Sequence, residues 1–168
     1  RIQREKDQLR YESGLEVLDA SVRKLILAAG NADSFFHTLC ETVKSIVNAD
    51  LALVLRLDED GEAFTYQEAI GENGELIIGK SVTLEDGGIC GLMFRQGETV
   101  YIPKLSESPY TNQELATKLE VSTGMVAPLW QADRMVGGLT AFRRVIPFDE
   151  IDSQLLTLFS QRASVTLQ

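Results

Sequence analysis

MVAPLWQADRMVGGLTAFRR, residues 125–144, places two apolar, strand-prone runs on either side of a short polar break. The runs read as strands over 122–130 and 135–144, and Gln131, Ala132, Asp133 and Arg134 between them read as a tight hairpin. A lone hairpin is marginal in water, so these apolar sides call for further strands and for helices that cover them. The flanking sequence supplies both.

Just upstream, residues 99–102 form a short strand closed by Pro103. KLSESPYTNQE follows as a polar surface loop, with a short helix over 112–120. Gly87 and Gly88 open another short helix that runs through Phe94 and ends at Gly97. Further back, ADLALVLRL at 49–57 and residues 64–70 form a second hairpin around Asp58-Glu59-Asp60-Gly61. The apolar pattern continues through Leu76, Ile77, Ile78, Val82 and Leu84. A helix carrying Phe35, Phe36, Leu39, Val43, Ile46 and Val47 on one side is expected to cover the sheet, capped by Asp33 or Ser34. Pro147 precedes the last helix, which starts near Asp149.

Residues 1–29 contain no proline and read as one long helix. Tyr11, Leu15, Leu18, Val22 and Leu25 recur at alternating four- and three-residue spacing, the seam that lets two helices face each other. Ile2 and Leu9 fall out of that register, and Gly14 interrupts it. The last helix carries Ile151, Leu155, Leu158 and Val165 on one stripe and Leu156, Phe159, Ala163 and Leu167 on another, so it is buried on two sides. The expected dimer contacts are Leu15, Leu18, Val22, Leu25, Leu155, Leu158 and Val165.

The 168 residues, 44% apolar, suffice for one globular domain with its own core. Acidic residues outnumber basic ones 25 to 16, giving a net charge of −9 spread along the chain as a solvated surface. No nucleic-acid partner is expected, because phosphates require a basic face. Cys40 and Cys90 sit in neither a CxxC nor a Cys/His cluster, so a reducing, cytoplasmic compartment is expected and no zinc site. No run approaches the ~20 apolar residues that span a bilayer, so no membrane insertion of this piece is expected. The parent protein is left free to carry an anchor. The chain opens on Arg1 and ends on Gln168 within an apolar-periodic segment, and so reads as a piece of a longer protein.

Three stretches, GGICGLMFRQGETVYIP at 87–103, MVAPLWQADRMVGGLTAFRR at 125–144 and FDEIDSQLLTLFSQRASVTLQ at 148–168, together resemble the GAF domain family over roughly residues 21–168. The resemblance implies an α+β, PAS-related fold. Its five- or six-stranded antiparallel sheet would have helices on both faces, long N- and C-terminal helices paired on one of them, and a pocket on the other. With the helix read above, the chain divides into an N-terminal signalling helix at 1–29 and the domain proper at 30–168. The resemblance also implies a sensory, non-catalytic module of a bacterial signalling protein that acts as a homodimer through its terminal helices. The first expectation is a domain that binds a small ligand and passes the signal to an effector domain. The alternative is a ligand-free dimerisation and relay module, with a small redox enzyme third.

Each candidate for chemistry has a plain structural reading beside it. Cys90 lies at a glycine-rich helix start, where the helix dipole and free backbone N–H groups lower a thiol pKa, and it also reads as a small apolar residue filling a tight turn. Bilin-binding relatives attach the chromophore through a Cys followed by His. Here Gly91 and Leu92 follow Cys90, so no bilin is expected. The free-methionine-sulfoxide reductases of this fold use several cysteines, of which only Cys90 has a counterpart here. His37 is the sole histidine and no ligand set surrounds it in sequence, so no metal or haem is expected. Of the cyclic-nucleotide motif only Phe148-Asp149-Glu150 is similar, and the two acids there read as a helix cap. The expected ligand pocket gathers Phe64, Tyr66, Ile89, Cys90, Tyr101, Ser106, Tyr110, Met125, Ala127 and Phe142. Ser108, Thr111 and Asn112 are further hydrogen-bonding groups on the mobile 103–120 loop.

Overall fold

The computed structural model of the chain describes residues 2–28 and 30–167; the sequence-based readings at Arg1, Ala29 and Gln168 lie outside the described residues. Five helices, α1 (Ile2–Ala28), α2 (Ala32–Ile46), α3 (Gly88–Gln96), α4 (Gln113–Leu119) and α5 (Glu150–Val165), surround one sheet. Its strands are β1 (Leu51–Leu57), β2 (Ala63–Gly71), β3 (Ser81–Thr83), β4 (Val100–Ile102), β5 (Thr123–Gln131) and β6 (Arg134–Arg143). They lie in the order β3-β2-β1-β6-β5-β4, and every neighbouring pair is antiparallel. The β5–β6 hairpin, joined through Ala132 and Asp133, is therefore next to the centre, as its apolar strands require.

Alternation along the strands feeds two cores. Ala52, Val54, Met125, Ala127, Leu139 and Ala141 face α2 and α5, with α1 packed outside them. Leu51, Leu53, Leu55, Phe64, Tyr66, Val126 and Phe142 face the opposite way, toward α3 and α4. β1 is buried on both sides because it sits between β2 and β6 with a helical layer over each face. α2 begins at Asn31, whose side-chain oxygen accepts from the Ser34 amide, so Asn31 and not Asp33 or Ser34 is the cap. α5 begins with a capping box in which Asp149 accepts from the Asp152 amide and the Asp152 carboxylate accepts from the Asp149 amide.

α1 runs in the same direction as α5. Arg10 meets Asp149, Gly14 faces Leu155 and Asp19 pairs with Arg162, rising together along both helices. The helices pack closely at Gly14, since a Cβ there would come within 2.7 Å of the Leu155 methyl carbons. The supposed break in the seam is thus what lets the two helices touch.

The seam itself is turned inward. Leu18, Leu25 and Leu155 lie in the core of a single chain, Leu15 and Val22 are half-buried, and Leu158 packs at the core's edge. Assigning Leu18, Leu25 and Leu155 to a chain–chain contact is corrected on this ground: their apolar surface is already covered by α2, α5 and the sheet. Val165 alone of the expected set is well exposed. At about 3.6 residues per turn, Ile2, Leu9, Ala20 and Leu27 come round to within about 20° of one another and lie opposite Leu18 and Leu25. All four are exposed. α1 is therefore apolar on two opposite sides, one of which its own domain covers.

Candidate functional site

The GGICG run forms the start of α3 by close approach. A Cβ at Gly91 would sit 1.9 Å from the Leu84 carbonyl oxygen, and Gly88 has φ +62° with the Asn112 backbone against it. Only glycine lets α3 pack this tightly against the turn that follows β3 and lets the start of α4 meet it. Asn112 caps α4 by accepting from the Leu115 amide, which turns Leu115, Ala116 and Leu119 toward the sheet. Across the gap stand Leu53, Tyr66 and Phe142 from the strands and Ile89 and Cys90 from α3.

These residues enclose a cavity of about 20 Å³, room for roughly one water. Among the described residues no charged side chain lines it. Its polar groups are Tyr66, Cys90, Thr111 and Asn112. The Thr111 hydroxyl is buried with no hydrogen-bond partner from the protein, so its bonding is left to whatever occupies the cavity. Burial pushes the Tyr66 hydroxyl well above its ordinary pKa, so it stays protonated. Burial likewise pushes the Cys90 thiol up to about 12, against a weaker lowering by Thr140, whose Oγ1 lies 3.6 Å from Sγ. Of the two readings of Cys90, this burial favours the small apolar residue filling a tight turn, because loss of water acts against a thiolate.

α4 and the loop before it are held by side-chain amides. Asn73 Nδ2 donates to Leu119 O at 3.2 Å, Gln113 Nε2 to Leu105 O at 2.8 Å and Asn112 Nδ2 to Asp86 O at 3.4 Å. Leu105 N also donates to Ser122 O at 2.9 Å, and beyond these few bonds the cover is held by apolar contact.

On the other side of β6, Arg143 gathers the ends of several elements. Its guanidinium donates to the carbonyls of Val47, Asn48 and Pro147, lies 4.3 Å from the Phe148 ring centroid and stands 3.6 Å from the Asp152 carboxylate. Arg10 reaches the same carboxylate at 3.6 Å and Asp149 at 2.6 Å. Burial and the like charge of Asp149 raise the Asp152 pKa against the lowering by its capping-box partner and the two arginines. Burial also acts to raise Asp149, but the Arg10 hydrogen bond and the capping box outweigh it and the net shift is downward.

Tyr66, Ile89, Cys90 and Phe142, of the ten residues expected in the pocket, line the cavity, and Phe64 packs behind Tyr66 with ring centroids 5.4 Å apart. Ser106 and Tyr110 are corrected to the outer surface of the loop. Tyr101, Met125 and Ala127 are corrected to the opposite face, where the Tyr101 hydroxyl donates to Phe148 O at 2.6 Å. The cause is a bulge. Trp130 pairs with Met135 but Leu129 pairs with Gly137, leaving Val136 over. Without that slip Phe142 would oppose Thr123 and share a face with Met125 and Ala127. With it Phe142 opposes Gly124, and the sets separate. Leu53, Leu105, Leu115, Leu119 and Val121 were not foreseen as lining residues. The Leu115–Leu119 spacing behind a capping Asn112 was the available signal. His37 stands on the surface of α2, 3.5 Å from Glu41 and 4.0 Å from Glu68. No group of three or more potential metal ligands occurs among the described residues.

Paired terminal helices on one face of a six-stranded antiparallel sheet and a covered cavity on the other define a GAF fold. A GAF domain family model matches residues 29–168, and the chain belongs to that family. Among solved structures, the GAF domain of a phosphoenolpyruvate-protein phosphotransferase from Coxiella burnetii is similar at 12% identity and TM-score 0.78, over 94% of this chain and 94% of that one. The free methionine-R-sulfoxide reductase from Neisseria meningitidis, in complex with its substrate, is similar at 15% identity and TM-score 0.70, over 89% and 87%. A far-red absorbing dark state with bound biliverdin IXa is similar at 18% identity and TM-score 0.70, over 90% and 97%. No curated protein matches the chain. At these identities the likeness is one of fold. The biliverdin-bound structure nevertheless overturns the expectation of no bilin, because a domain of this fold holds one there. The reductase shows likewise that the fold is compatible with catalysis. Among the described residues no helix is long and apolar enough to cross a membrane.

Proposed function

We propose that this GAF domain is a non-catalytic sensor that takes a small ligand under α4 and passes its occupancy to the parallel pair α1 and α5. The observation that carries the reading is the adjacency of Phe142 and Arg143. Phe142 lines the cavity, and the next residue, on the other face of β6, holds the C-terminal end of α2, the chain leading into α5 and, through Asp152, Arg10 of α1. A ligand that displaces Phe142 bends β6 where Arg143 leaves it, and so favours one arrangement of the helices over the other. The homodimer is assigned to the outer stripe of α1, Ile2, Leu9, Ala20 and Leu27, with exposed Val165 of α5 beside the same helix pair.

Phe142→Leu tests the route. Hydrogen exchange at residues 3–11 of α1 is expected to quicken, whereas Val82→Ala on the edge strand β3 is expected to leave it unchanged. Unchanged exchange in the Phe142 variant, with β6 itself loosened, would refute the coupling.

One observation favours a second reading. The cavity as it stands holds about one water, which suits a relay module that receives its signal along α1 and needs no ligand.

A further inference from the structure

We infer that the part of a ligand enclosed beneath α4 is an uncharged group on an apolar frame, a hydroxyl, carbonyl or amide that bonds the Thr111 hydroxyl. The inference rests on the ligand-binding reading and names the chemistry of that site.

The wall supplies no compensating charge. Among the described residues the lining carries no Lys, Arg, Asp, Glu or His, and an ion stripped of water there would lack the partner that makes its burial tolerable. The chain's net charge of −9 adds a field that disfavours an anion's approach. The wall also stays neutral itself: Tyr66 and Cys90 are held protonated by burial through the physiological range. What it offers is hydrogen bonding. The Thr111 hydroxyl has no partner, is able both to donate and to accept, and lies on the loop that leads into α4. A ligand atom that bonds it supplies the partner that no protein group provides, so the bonded state favours the closed cover. The apolar frame fits Leu53, Ile89, Leu115, Leu119 and Phe142. A benzene-sized guest needs a cavity of about 150 Å³, so entry requires Leu115 and Leu119 to move outward with α4. The side-chain amides of Asn73, Asn112 and Gln113 are the ties that must give.

Phenol, toluene and benzoate, one ring with a hydroxyl, a methyl or a carboxylate, separate these terms at neutral pH. Titrations of the full chain are followed by NMR at the Thr111 and Val121 methyls and by exchange of the α4 amides. Phenol is expected to bind at least tenfold more tightly than benzoate and several-fold more tightly than toluene. Thr111→Val, nearly isosteric, is expected to reduce the phenol-to-toluene ratio to near one while leaving toluene binding in place. Benzoate bound in the cavity as tightly as phenol would overturn the uncharged class and leave the ligand-binding reading standing. An unchanged phenol-to-toluene ratio in Thr111→Val would overturn the role of Thr111. Failure of all three compounds to shift these signals at millimolar concentration would overturn the inference together with the reading beneath it.

Discussion

Replacing Arg143 by Met is expected to destabilise the domain by about 3–5 kcal/mol, the range for removing one partner of a buried ion pair. The estimate follows from what the guanidinium touches. Its side chain is 13% exposed, and it satisfies the carbonyls of Val47, Asn48 and Pro147, covers the Phe148 ring and neutralises Asp152, whose side chain is 5% exposed. Methionine fills much of the same volume and keeps contact with Phe148, so the loss isolates charge and hydrogen bonding from packing. The C-terminal carbonyls of α2 would then be left to water, and Asp152 would retain only Arg10 and its cap. At about 2–4 °C per kcal/mol for a domain of this size, the melting point should fall by roughly 6–20 °C. Arg10→Met is the control. Arg10 is 40% exposed, bonds no backbone carbonyl and, although it reaches Asp152 at 3.6 Å, makes its close contact with exposed Asp149, so its loss should cost about 1 kcal/mol and should shrink further in salt. Urea unfolding followed by circular dichroism measures both. A loss below about 1 kcal/mol for Arg143→Met, or equal losses for the two variants, would refute the idea that Arg143 ties the helices to the sheet.

Other consequences follow from single contacts. Gly91→Ala sets a Cβ 1.9 Å from a backbone oxygen that cannot step aside, and should cost at least about 2 kcal/mol in the same urea assay; a loss under 1 kcal/mol would mean that α3 is free to lift. The thiols of Cys40 and Cys90 have pKa values raised to about 12 from 9.0. The stability they contribute is therefore complete below about pH 9 and is lost as pH rises toward 12. Both should resist thiol reagents in the native state, and rapid native labelling at neutral pH would contradict the burial. Leu9→Glu with Leu27→Glu should give folded monomers by light scattering and circular dichroism, since both residues are exposed in the single chain; an unchanged dimer mass would remove the outer stripe of α1 from the interface.

Much of the fold is legible because the signals are local. The hairpin at 125–144, the glycine that stops α3 with φ +71° at Gly97, and the acids that cap α5 each act over a few residues. The site is less legible because it depends on parity and on burial. One extra residue, Val136, decides whether Phe142 shares a face with Met125 or opposes it, and nothing in the spacing of apolar residues marks it. The seam from Tyr11 to Leu25 has the spacing of a helix pair, and so it is; its partners are α2 and α5 of the same chain. Spacing cannot tell an internal partner from a second copy. The environment of Cys90 is hidden for a related reason: its place at a helix start is visible in sequence, while its burial is a property of the packed domain.

Native mass spectrometry of the freshly purified chain, set beside its denatured mass, addresses the ligand reading most directly. A dimer carrying excess mass that disappears on denaturation is the result expected of a sensor. A dimer of bare chains, whose melting point no small molecule raises, would contradict it and leave α1 and α5 as a relay.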